Sequence, residues 1–155
     1  MAKYASDTSV SAESSRAEIE RTLRRYKADA FAYGTEGDRA SVMFRLQGRA
    51  VRFILVMPDP NAREFTHHSR GMRTPDAAAK AWEQATRQRW RALALVIKAK
   101  LEAVDAGITT VEDEFLAHTL LPDGRTFGDY AKPEIDRIYI EGGMPQPLML
   151  TGPKS

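Results

Sequence analysis

The chain has 155 residues, 43% of them hydrophobic and 28% charged, and no cysteine. That length supports one ordinary core, and the missing cysteine excludes disulfides, cysteine-rich zinc sites and thiol catalysis. The longest apolar run, Ala92 to Ile97, falls far short of the ~18–20 residues of a membrane span, and the first residues lack the apolar region of a secretory signal, so a cytoplasmic protein with no membrane contact is expected.

The net charge of +2 conceals an asymmetry. Residues 1–100 carry 19 Lys+Arg against 11 Asp+Glu, a net of +8; residues 101–155 carry 4 against 10, a net of −6. Sixteen of the 23 basic residues are arginine, whose planar fork suits phosphate and carboxylate. The layout implies a polyanion partner or pairing between the halves.

In chain order, residues 1–13 are small and polar and read as a flexible arm. Ser15 and Glu18 have capping-box spacing, and Ile19, Leu23 and Tyr26 share one face, predicting a helix over 15–27. The period then changes to two. Ala40, Val42, Phe44 and Leu46 alternate with Arg39, Ser41, Met43 and Arg45, and Val51, Phe53, Leu55 and Met57 alternate with Arg52, Ile54 and Val56. Turn residues separate these runs, so an antiparallel meander is expected over 29–34, 39–47 and 50–57. Its outward face bears Arg39, Arg45 and Arg52, with Arg49 at the turn.

Residues 58–74 form a connection longer than the ~12–15 residues of ordinary loops, and hold Arg63, Arg70, Arg73 and the pair His67-His68. Thr74-Pro75 then starts a helix that nothing breaks before Gly107. At 1.5 Å per residue it is roughly 48 Å long, long enough to overhang the sheet and pack something beyond it. Trp82, Thr86, Trp90, Leu93, Ile97, Leu101 and Val104 are its expected buried stripe. Lys80, Arg87, Arg91 and Lys98 fall within about 40° of one another on a different face. Thr109 or Thr110 caps a third helix with Glu112, Asp113 and Glu114 in its first turn. A last helix is expected over 126–140, kinked or restarted at Pro133, followed by a flexible tail over 142–155.

The expected fold is α+β: a three-stranded antiparallel meander packed by an N-terminal helix and one long helix, with a helical C-terminal extension, in a single domain over 14–141. The candidate nucleic-acid contacts are Arg39, Arg45, Arg49, Arg52, Lys80, Arg87, Arg91 and Lys98, a set able to follow a phosphate backbone, DNA in preference to RNA. The same arginines could instead pair with the acidic half within the molecule; the alternative function is a protein partner bound through the acidic half or the long helix, and the long helix could also pair with a second copy. The sequence has no P-loop, GxGxxG, GxSxG or HExxH, and neither a cofactor nor an enzymatic reaction is expected.

The strings RAEIERTLRRY (16–26), WRALALVIKAKLEAVDAGI (90–108) and EFLAHTLLPDGRTFGDY (114–130) resemble a family of small bacteriophage and prophage proteins, across roughly residues 8–145. The family brings no catalytic residues. The resemblance implies a phage setting: a non-enzymatic nucleic-acid-binding protein of DNA recombination or replication, or alternatively a protein–protein module such as an inhibitor of a host defence complex.

Overall fold

The structure, a computed structural model, describes residues 8–143. The architecture is α+β as the periodicities require. Helix α1 (Ala12–Arg25) leads into strands β1 (Ala30–Glu36), β2 (Arg39–Leu46) and β3 (Arg49–Val56), an antiparallel sheet in that order. Then follow a one-turn helix α2 (Arg63–Thr66), a two-residue hairpin β4–β5 (His67–His68, Gly71–Met72) and the long helix α3 (Pro75–Asp105). A short turn α4 (Val111–Glu114), a 3-10 turn (Leu116–His118) and helix α5 (Phe127–Gly142) complete the described chain. Apart from residues 8–13 and 142–143, the arm and tail expected at the two ends lie outside the described residues.

Two-residue loops join the strands. The Gln47-Gly48 loop takes left-handed backbone at both positions (φ 50° and 76°), which matches the right-handed twist of the flanking strands. The resulting register places Phe44 opposite Val51 and Val42 opposite Phe53. The inner face therefore buries Ala40, Val42, Phe44, Leu46, Val51 and Phe53 against Ile19 and Leu23 of α1 and Trp90, Leu93, Ile97 and Leu101 of α3. Phe115, fully buried, meets Phe44 and Phe53 edge-on at centroid distances of 5.5 and 6.2 Å.

Helix α1 begins one turn earlier than expected. Ser11 is the cap, accepting from the Ser14 N–H at 3.1 Å, while Ser15 is fully buried. The reason is the helix phase. Ser15 precedes Ile19 by four residues and shares its inward face, and Glu18 is taken by a partner on α3.

Thr74 and Pro75 start α3 as read, but its buried stripe begins at Trp90. Trp82 and Thr86, expected in the core, are only half-buried, as is Leu55. The first four turns of α3 extend past the sheet, and the long connection folds onto them. Trp82 donates its indole N–H to the Pro58 carbonyl at 2.6 Å, Phe65 of α2 is buried, and Arg73 bonds the Glu64 and Phe65 carbonyls, each at 3.2 Å. The 58–74 segment is thus an ordered cover for the overhang.

The expected third helix is a single turn capped by Thr110. After it, Leu120 donates to the Ala50 carbonyl at 2.8 Å, so the chain runs briefly along the free edge of β3. Thr126 and Asp129 then cap each other reciprocally to open α5, which continues through Pro133 without a break. Gly128 is buried where α5 crosses the 3-10 turn, and a Cβ there would lie 2.8 Å from the Ala117 carbonyl oxygen. Gly128→Ala is therefore expected to unseat α5, with loss of hydrogen-exchange protection confined to residues 116–142 and little change in the sheet and α3.

Candidate interaction surfaces

The eight cations singled out in the sequence divide into three groups. Arg91 bonds Glu18 across the α1–α3 interface, and both side chains are about three-quarters buried. It therefore lies inside the packing, whereas the helical projection had placed it on a free face. Arg87, half-buried, donates to Gln84 on its own helix at 3.0 Å, and the exposed Lys80 stands 3.8 Å from the exposed Asp76. Lys98 is half-buried on the same helix. No continuous cationic stripe runs along α3.

Arg49 reaches across to Glu112 at 2.8 Å, and Lys100 bonds Glu114 at 2.8 Å. The basic and acidic halves thus meet at the α4 turn. Lys100 holds the Glu114 carboxyl below the usual carboxylate range, chiefly through that hydrogen bond.

Arg39, Arg45 and Arg52 share the outer face of the sheet, with Arg39 and Arg45 near opposite ends of β2. Register pairs Ala32 with Met43 and Met43 with Arg52, and Gly34 with Ser41 and Ser41 with Ile54. One row across the outer face is therefore small–Met–Arg, and the next Gly–Ser–Ile. Because Ala30, Ala32 and Gly34 give β1 almost no side chains on this side, the face carries a shallow trough of about 400 Å³ lined by Gly34, Arg39, Ser41, Met43, Arg52 and Ile54. Met43, Ile54 and Val56 are exposed on it. Arg45 is bound to Asp29 at 2.8 Å, which lowers the Asp29 pKa. Arg39 has no carboxylate partner among the described residues. The Arg52 Nε is shielded from water and has no partner there either, an arrangement that ordinarily costs about 1–3 kcal/mol.

A second surface was not singled out from the sequence. From Lys132 onward every residue of α5 is exposed. Phe127, Ala131, Ile135, Ile138 and Tyr139 fall within about 120° of one another on the helix. Only the first turn of this stripe rests on the 3-10 turn. Ile135, Ile138 and Tyr139 stand 48%, 56% and 44% exposed. The stripe's signal in the sequence is the i, i+4 and i+7 spacing of Ala131, Ile135 and Ile138, interrupted by Pro133.

His118 stacks on Phe53 at 4.0 Å. Burial lowers its pKa first, and the positive charge of Lys100 adds to this, while a hydrogen bond with the Arg52 backbone opposes it. His67 and His68 serve their own turn: His67 Nδ1 lies 2.8 Å from Thr66 Oγ1, and His68 Nδ1 accepts from the Arg70 N–H at 2.9 Å. Among the described residues no three His, Asp or Glu side chains are grouped as metal ligands, and no helix is long and apolar enough to cross a membrane.

Comparison with protein-family models, curated proteins and solved structures finds no match to this chain.

Two outcomes follow from these placements. Arg91→Ala should cost about 1–2 kcal/mol in urea unfolding, the worth of a charge-assisted hydrogen bond out of full solvent, whereas Lys80→Ala should cost at most about 0.5 kcal/mol. The folded protein also favours neutral His118. Stability should be complete above the ordinary histidine pKa of about 6.5 and fall as pH drops below it toward the lowered native value. His118→Phe, which keeps the stack, should flatten that part of the stability–pH curve.

Proposed function

We propose that this protein is a non-enzymatic protein–protein interaction module that works through its outer sheet face and helix α5. The observation that carries the reading is a pairing of two facts. Four of the cations of the basic half, Arg45, Arg49, Arg91 and Lys100, are closed onto carboxylates of the same molecule. Meanwhile large apolar side chains on two faces are left exposed by the described residues. Exposed apolar surface mixed with Met, Tyr and Arg has the composition of a protein interface. A nucleic-acid platform would call for aromatic stacking residues and a continuous cationic track. In the phage setting that the sequence resemblance implies, such a module fits an inhibitor or adaptor acting on a host complex.

A specific observation favours the rival reading, nucleic-acid binding in DNA recombination or replication: Arg39 and Arg52 share a trough, which Glu36 also lines, and neither is ion-paired to a carboxylate among the described residues. A salt titration with single- and double-stranded DNA and RNA separates the two. The module reading expects no binding tighter than ordinary non-specific contact at physiological salt, a Kd of ~10⁻⁴–10⁻⁶ M. Tight binding whose log–log salt slope falls by about two units in an Arg39→Ala/Arg52→Ala double variant would transfer the function to nucleic acid. In addition, Ile54→Asp and Ile138→Asp should each change unfolding free energy by no more than about 1 kcal/mol in dilute protein, because neither side chain belongs to the core. A loss of several kcal/mol would mean that these faces serve the fold.

A further inference from the structure

We infer that the partner of these two faces is a second copy of this chain, with α5 of each protomer lying across the outer sheet face of the other. This rests on the interaction-module reading and names its occupant.

The two surfaces complement each other in chemistry, charge and size. A sheet is normally covered on both apolar faces, and a helix is its usual cover. Here the outer sheet face exposes Met43, Ile54 and Val56, and the stripe of Ile135, Ile138 and Tyr139 on α5 stands about half exposed. The sheet face carries Arg39, Arg45 and Arg52 against Glu36 and the Asp29 carboxylate bound to Arg45, a net of +1. Helix α5 carries Asp129, Glu134, Asp136 and Glu141 against Lys132 and Arg137, a net of −2. Glu134 and Glu141, which bond Arg137 on the same helix, flank one side of the apolar stripe, and Lys132 with Asp136 beyond it flanks the other, so one edge of the stripe is acidic and faces the arginines once it lies on the sheet. The dimensions also agree. A helix about 10–12 Å wide covers three strands spaced about 4.8 Å apart, and eight residues of strand span about 26 Å against about 24 Å for sixteen of helix.

The helix cannot serve its own sheet. The capping box of Thr126 and Asp129 and the close approach of Gly128 to Ala117 seat its first turn on the 3-10 turn, and the helix is continuous from there to Gly142. Folding it back would undo that seat, whereas the sheet of a second copy is open. Reciprocal docking closes a two-fold dimer. The charge asymmetry of the sequence then acts twice: within one molecule at the α4 turn, and between molecules at this interface.

The test is sedimentation velocity on the full chain over a wide concentration range. Wild type is expected to be a dimer. Ile138→Asp, which spoils the helix, and Ile54→Asp, which spoils the sheet face, should each raise the dissociation constant at least tenfold. The deciding step is to mix the two variants. One keeps an intact sheet face and the other an intact helix, so the mixture should form a heterodimer through one good contact. If Ile54→Asp does not fold, Met43→Glu takes its place. A wild-type chain that stays monomeric overturns the inference, as does a mixture that fails to associate. So does an Ile54→Asp variant that dimerises like wild type, the sign of helix-on-helix pairing. These failures leave the module reading to its own test, since tight salt-dependent nucleic-acid binding overturns that reading and monomeric behaviour does not.

Discussion

Phe115 holds the molecule together. It comes from a single helical turn late in the chain, yet its ring stands edge-on to Phe44 and Phe53 in the middle of the sheet and is completely shielded from water. Edge-to-face aromatic contacts contribute about 0.5–1.5 kcal/mol beyond the area they bury. Here they also fix position. With Phe115 seated, Val111 fills the gap beside it, Lys100 of α3 reaches Glu114, and the following residues are delivered to the free edge of β3. The seat of α5 on the 3-10 turn, and hence the direction in which α5 leaves the body, follows from that one ring.

The charge distribution has a comparable logic. A chain with a strongly basic front and an acidic end attracts itself, and the fold gives that attraction defined partners. Arg49 with Glu112 and Lys100 with Glu114 join the two halves, while Arg91 with Glu18 joins two elements of the basic half. The exposed pairs contribute little to stability individually. Their effect on surface chemistry is larger, since each removes a cation from any outside anion. Cations without a carboxylate partner among the described residues remain elsewhere, Arg21, Arg70 and Lys132 among them; on the outer sheet face they are Arg39 and Arg52, beside which the small residues of β1 leave room.

Much of this was legible in the residues. Alternation at 40, 42, 44 and 46 and at 51 and 53 set both faces of the sheet, because a one-residue slip would turn Phe44 and Phe53 into solvent. Thr74-Pro75 and Gly107 bounded the long helix to within a residue of its observed ends. Other features depend on tertiary partners that no local window contains. The polar surroundings of Ser15 read as a helix start, but its phase with Ile19 buried it. Trp82 has the right spacing for the core, yet it sits where α3 has already passed the sheet. Arg91 projects onto the same helical face as Arg87, and only the packing of α1 encloses it. The outward arginines of the sheet were placed correctly, since strand alternation decides that by itself. The apolar stripe of α5 obeys the same helical spacing as the other helices, but nothing in its sequence says whether a partner exists.

The length of α3 has one further consequence. A single continuous helix spans two regions of very different support. From Trp90 to Leu101 it is clamped between sheet and α1, and opening those amides requires unfolding the core. From Pro75 to Arg89 it is held by α2 and a few side-chain bonds, Trp82 to the Pro58 carbonyl, Gln84 to the Thr8 carbonyl and Arg89 to the Val56 carbonyl. Regions of low contact density open locally, at a free energy well below that of global unfolding. The helix therefore frays from its capped N-terminal end inward, and a protease that cannot attack the body meets its first susceptible bonds in the overhang.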